Sequence, residues 1–364
     1  MNKQWLGHIN GTNTGNIQFN LDYVDSSYEG TLRIRDDHQD IPSIVANIEA
    51  SFVEDTFSFK GNNIRALDDE NYLELSSEQL SRSYPDAKLP LVIEGQGVVD
   101  GDVVKGEWKT DIATAGGFDV KAYSGSAEET IVQDTTWADF KNVLSNYGMD
   151  DYIFRGQNSN KWGLRTSYHR HGRSDLQRYF KYDVPKLYRL VHAETGLKFN
   201  LDDNSDLGAL LYLAQHYGYP TPLLDWSCSP YVAAYFAFKG VDEAEENAKV
   251  RIYVLNKKEW ESDTFQTDQY ETFHTTVSYS ELLASGNKRA IPQQAVTTFS
   301  TVDWIEGYFA YVSGLRSKVY LHAFDIDAHE KGAVLCDLRR MGITEASLFP
   351  GLVGICSDLK ERYF

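Results

Sequence analysis

Leu210-Leu211-Tyr212-Leu213-Ala214-Gln215-His216-Tyr217-Gly218-Tyr219-Pro220-Thr221-Pro222-Leu223-Leu224-Asp225-Trp226-Ser227-Cys228-Ser229-Pro230-Tyr231-Val232-Ala233-Ala234-Tyr235-Phe236-Ala237 is a largely apolar run that carries a His, an Asp and two Ser. Cores seldom hold such groups without partners or a purpose. The run parses into three elements. Leu207, Leu210, Leu211, Ala214 and Tyr217 share one face of a helix over about 206–217, with Ser205 or Asp206 at its start and Gly218 after its end. Thr221–Trp226 reads as a buried strand, and Pro230–Lys239 as a second helix with Ser229 as N-cap and Pro230 at its first position.

Outward from this core lies a mixed α and β domain over 130–364. Trp137, Phe140, Val143, Leu144 and Tyr147, followed by Gly148, predict a helix over 135–147, and Tyr152–Gln157 is a short strand ending near a charged residue. Residues 174–195 predict a helical region with Ser174 as N-cap and a kink or break at Pro185. Strands are expected at Lys249–Leu255 and Lys318–Asp325, with a polar excursion between them. A helix over Ala328–Met341 closed by Gly342, a strand or turn over Ile343–Leu352, and a last short helix to about Lys360 complete the domain. There is no regular βαβ repeat and no GxGxxG, which disfavours a Rossmann dinucleotide fold.

Residues 1–124 differ in kind. Alternating segments at Asn16–Asp22, Tyr28–Arg35, Ile44–Phe52, Thr56–Lys60, Pro90–Val99, Val103–Lys109 and Gly117–Tyr123, punctuated by glycines, predict an antiparallel β-barrel or sandwich. Asp100-Gly101 between β-branched residues is the strongest hairpin signal. A break is expected near Ser124-Gly125-Ser126-Ala127-Glu128-Glu129, giving an α+β protein of two domains. His8 and His38 sit in polar surroundings without metal-ligand spacing, so this half reads as a recognition or interaction module.

The net charge of −18 is shared by both halves and argues against non-specific binding to nucleic acid or anionic membranes. Cys228, Cys336 and Cys356 fit neither a disulfide framework nor a metal knuckle. With no apolar signal segment at Met1–His8 and no run of about 18 apolar residues, a cytoplasmic protein is expected.

Chemistry concentrates in a few positions. Arg155, at a strand end before Gly156, presents bidentate donors suited to phosphate or carboxylate, or else forms a structural ion pair. His216 lies in a last helical turn, where it either packs or serves a site. Asp225 between Leu224 and Trp226 either holds Arg155 or caps the following turn. Ser227 and Ser229 flank a helix N-terminus where hydroxyls and backbone N–H groups converge on anions, Ser229 serving equally as a cap. Cys228 beside that terminus, paired with His216, is a weaker nucleophilic dyad.

The blocks Tyr152-Ile153-Phe154-Arg155-Gly156-Gln157, Gln215-His216-Tyr217-Gly218 through Leu223-Leu224-Asp225-Trp226-Ser227-Cys228-Ser229-Pro230, and Ser347-Leu348-Phe349-Pro350-Gly351-Leu352-Val353-Gly354 together resemble the FRG domain, named for its (Phe/Tyr)-Arg-Gly motif, over roughly 130–360. Pro222 stands where this family usually has Arg, and Ala295 where Gly is common. The order Arg-Gly, then a Ser-x-Ser strand leading into a Pro-x-Val-Ala helix, is in turn similar to ADP-ribosyltransferases of the Arg–Ser–Glu type.

That resemblance implies NAD as substrate. Arg155 would bind its phosphate or ribose with Gly156 and Gln157 beside it, Ser227 and Ser229 would fix the nicotinamide-side loop, and Tyr168 with His169 would stack on or orient the nicotinamide. His216 and Asp225 would support Arg155. Glu345 is the candidate catalytic carboxylate, although the family spacing to the following Leu-x-Pro lands on Ala346. The implied role is a toxin or antiphage effector whose β domain recognises a macromolecular target; the alternative is a non-catalytic nucleotide-sensing or protein-interaction module using the same pocket.

Overall fold

A computed structural model describes residues 4–122, 130–148, 150–241 and 247–364. The expected interdomain break at 124–129 lies outside the described residues.

The N-terminal half is a closed antiparallel barrel of eight strands: β1 (Gln4–Gly11), β2 (Gly15–Val24), β3 (Ser27–Asp36), β4 (Ser43–Val53), β5 (Thr56–Leu67), β6 (Ile93–Asp100), β7 (Val103–Thr110) and β8 (Ala115–Lys121). Seven strands were legible as alternating segments. The eighth, β1, buries only Trp5 and Ile9 among its apolar side chains, too few to alternate visibly, yet its pairing with both β2 and β8 closes the barrel and removes the sheet edges. The interior is filled, because Phe19, Phe57, Phe59 and Phe118 pack edge to face or tilted at centroid separations of 5.1–6.5 Å. At the β6–β7 hairpin, Gly101 takes a φ of +59° between the paired Asp100 and Val103, a conformation that disfavours a side chain.

The second half is built on one mixed sheet of seven strands: β9 (Ile131–Thr135), β10 (Tyr152–Gln157), β11 (Leu223–Ser227), β12 (Lys249–Asn256), β13 (Val277–Ser280), β14 (Ala295–Ser300) and β15 (Leu321–Asp327). They run in the order β13-β14-β11-β10-β12-β15-β9, and only β15–β9 is parallel. Helix Pro230–Lys239 covers one face with Trp137, Phe140, Phe154, Phe324 and Leu338; Trp260, Ile305 and Phe309 cover the other with Ile153, Trp226 and Tyr253. Helix Asn204–His216 buries Leu207 through Ala214 without a break, in a third cluster with Tyr168, Tyr179 and Phe299.

Several local expectations are corrected. The cap of helix Asn204–His216 is Asp203, which accepts from Asp206 N. The region 174–195 is a short helical turn at Leu176–Arg178, a π-helical turn at Tyr179–Asp183 and a helix at Val184–Thr195. The wider turn places Pro185 at a helix start, where its missing N–H is tolerated. Asp175, not Ser174, caps the first turn. The polar excursion contains β13, β14 and helices Lys257–Asp263 and Ile305–Arg316, and the expected strand or turn after Ile343 is a short helix at Glu345–Leu348. No helix among the described residues is long and apolar enough to cross a membrane.

Polar contacts dock the barrel on this domain. Gln4 donates to Thr301 O at 2.9 Å and accepts from Asp303 N at 2.9 Å. Arg33 Nη1 donates to Phe273 O at 2.6 Å, and its guanidinium lies 4.6 Å from the Tyr72 ring centroid. Asp22, fully buried on β2, accepts from Arg173 Nε and from Ser174 N at 2.8 Å, while Ser174 Oγ donates to Leu21 O. Asp22→Ala leaves the buried Ser174 N–H without its acceptor, while Arg173 keeps Asp183 at 3.0 Å, so stability is expected to fall by about 1–3 kcal/mol. Chemical denaturation checks this, and a loss below about 1 kcal/mol, the range of exposed pairs, contradicts it.

Candidate functional site

β10 and β11 are neighbours that share a single residue pair, Phe154↔Ser227, whereas β10 pairs with β12 over six residues and β11 with β14 over five. The two strands therefore part beyond that pair and open a cleft of about 390 Å³, within the range of small-molecule sites. Arg155 closes part of the gap, since its Nη1 donates to the backbone oxygen of Asp225 at 2.5 Å and takes the place of a ladder bond. Its Nε is buried without a partner. Burial lowers the guanidinium pKa, against the pull of Asp225 and with the repulsion of Arg170.

Asp225 is the one outward position of β11 and faces the cleft. Desolvation by the cleft walls pushes its carboxyl pKa up, against the opposing influence of Arg155, Gln215, Arg170 and His216. His216 lines the same cleft; burial and then Arg289 hold its pKa below the ordinary value, so a neutral ring is available there. Tyr212, with its phenol pushed up to about 12 mainly by burial, Gln215 and Gln293 add polar groups, and Phe154, Trp226, Phe236 and Phe349 add aromatic surface.

The remaining expected residues are placed as follows. Ser227 lines the cleft, but its hydroxyl donates to Gln293 O at 2.8 Å and accepts from Ser229 N at 3.0 Å. Ser229 caps helix Pro230–Lys239 by accepting from Val232 N. Gly156 lines the cleft and lets that helix approach: a Cβ there would meet Ala233 O at 1.9 Å. Asn158, just beyond the strand, ties it to the same helix through Phe236 O and Ala237 O. Gln157 is buried away from the cleft, with Oε1 unpartnered.

Four further expected residues lie outside the cleft. Tyr168 is 1 % exposed, edge-on to Tyr179 in the core beside the barrel, and His169 is wholly buried, bonded through Nδ1 to Thr166 and held neutral with a pKa near 4 by burial. Neither can stack on a ligand in the cleft. Glu345 does not line the cleft: it pairs with Lys239 Nζ at 2.7 Å and accepts from Tyr235 Oη at 2.6 Å, both on helix Pro230–Lys239. Cys228 packs with the Trp226 cluster, and burial raises its thiol pKa, opposite to what a nucleophilic dyad requires. Conversely, Arg289, Asn287 and Gln293 line the cleft and carried no signal within the polar excursion.

A larger groove of about 500 Å³ separates the barrel from the second domain, but two of its cations are matched, Arg178 with Glu29 and Arg65 with Glu74. The β10–β11 cleft is the better candidate because it joins partly unsatisfied cationic donors to a carboxylate and aromatic walls.

The chain is thus a closed barrel docked on a mixed-sheet domain whose central strands part around an arginine. Residues 150–246 match the family model described as FRG domain. The match takes in β10, helix Asn204–His216, β11 and helix Pro230–Lys239, the elements that frame the cleft, and is narrower than the 130–360 expected. No curated protein and no solved structure matches the chain.

The electrostatics are open to direct measurement. In an NMR titration the His216 imidazole is expected to protonate below the ordinary value of about 6.5. Arg289→Gln, which removes a nearby positive charge, should move that midpoint upward. A midpoint that stays put or falls contradicts the arrangement.

Proposed function

We propose that the cleft binds NAD or a closely related nucleotide and that the protein is an ADP-ribosyltransferase-like effector, of the toxin or antiphage type, with the barrel recognising its target. The observation that carries this is the convergence of Arg155, Ser227 and a carboxylate, Asp225, on one cleft with aromatic walls. Arg155 would hold phosphate or ribose oxygens, and the rings would cover the bases. Transfer breaks the bond between ribose C1′ and the nicotinamide nitrogen. The electron pair leaves with nicotinamide, and an acceptor nucleophile bonds to C1′ and gives up its proton. Asp225, in this reading, is the anion that faces the developing positive charge on the ribose.

Glu345 gives a specific reason to keep the second reading, a nucleotide sensor or interaction module without catalysis. The carboxylate that the resemblance assigns to chemistry is held by Lys239 and Tyr235. One set of assays separates the two. Purified protein given NAD and a cell lysate is expected to release nicotinamide and label a target. Arg155→Ala should abolish both, Asp225→Asn should slow release by about 100-fold or more, and Glu345→Gln should retain it. Nucleotide binding without nicotinamide release or label transfer would leave the sensor reading in place.

A further inference from the structure

We propose that Arg289 is a second anion anchor of this cleft, selecting a ligand with two linked phosphates of the ADP type over a monophosphate or a nucleoside. The assignment rests on reading the cleft as a nucleotide site and adds a residue that neither the motif blocks nor the family match reaches.

Arg289 lies in the connection before β14, and its backbone is held at both ends: its N–H donates to Asn287 Oδ1 at 3.1 Å, and its carbonyl accepts from Gln293 N at 3.1 Å. Its guanidinium lies over the Phe349 ring, 4.8 Å from the centroid, a contact between two cleft-lining side chains that holds the cation at the cleft wall. Among the described residues it has no ion pair with a carboxylate, in a chain with 53 acidic residues against 35 basic ones. Glu345 is close enough to feel its charge, yet bonds Lys239 and Tyr235 instead.

Arg155 and Arg289 thus reach the cleft from different elements, β10 and the β13–β14 connection. An anion held by Arg155 alone would face Asp225 and the acidic field of the whole protein. A second arginine offsets both and makes the cleft a local positive focus. One phosphate can engage one guanidinium bidentately, whereas a pyrophosphate offers an acceptor group to each.

Calorimetric titration of the full chain with ADP, AMP and adenosine tests this. Wild type is expected to bind ADP about 10-fold or more tightly than AMP, the effect of one added charge-assisted contact. Arg289→Gln should erase that preference, lowering ADP affinity by more than AMP affinity, and Arg289→Lys should restore part of it. Matching thermal melts of the variants show that the loss is local, and should Arg289→Gln not fold, a partial loss in Arg289→Lys carries the same information. Equal affinities of wild type for ADP and AMP, an ADP preference that survives in Arg289→Gln, or no binding of either nucleotide overturns the assignment. Nicotinamide release without an ADP preference would defeat this assignment and leave the transferase reading standing; an Arg289-dependent ADP preference without release would do the reverse.

Discussion

The bond from Arg155 Nη1 to the Asp225 carbonyl holds together two strands that otherwise share one pair, Phe154↔Ser227. A sheet whose central neighbours barely touch leaves backbone groups that need other partners. Here a guanidinium supplies one, and the space beside it becomes the cleft. The same arginine thus fills a structural vacancy and brings positive charge to the site. Gly156 completes the arrangement, because only a residue without Cβ lets helix Pro230–Lys239 lie against β10 at this point.

The barrel is bound to the other end of the same sheet. Gln4 is bonded to Thr301 and Asp303 just after β14, and Asp303 pairs with Arg165 at 2.5 Å. Asp22 fastens Arg173 and Ser174 ahead of the π-helical turn. These contacts are polar and directional, so they set the orientation of the two domains more than hydrophobic burial alone would. β14 is the strand that pairs with β11 along its whole length, so barrel and cleft share a continuous piece of sheet.

Much of this was legible in the sequence, for identifiable reasons. Leu207–Ala214 and Pro230–Lys239 announce themselves by apolar content and by proline and glycine at their ends, and the barrel strands by alternation. β13 and β14 were hidden because Val277-Ser278-Tyr279-Ser280 and Ala295-Val296-Thr297-Thr298-Phe299-Ser300 are short and rich in hydroxyls that become buried only through tertiary packing. Helix Ile305–Arg316 was masked by Gly307, which the structure requires because the Trp304 ring lies where its Cβ would be. In the site, Arg155, Asp225, Ser227 and His216 sit in recognisable blocks. Arg289 lies in a loop without pattern, and the partners of Glu345, Lys239 and Tyr235, are set by helix packing that spacing does not encode.

A crystal structure of the full chain soaked with ADP-ribose tests the central claim most directly. The account predicts ADP-ribose between β10 and β11, with phosphate oxygens on the Arg155 guanidinium and the ribose toward Asp225. ADP-ribose ordered elsewhere on the molecule, or an empty cleft at saturating ligand, would contradict it.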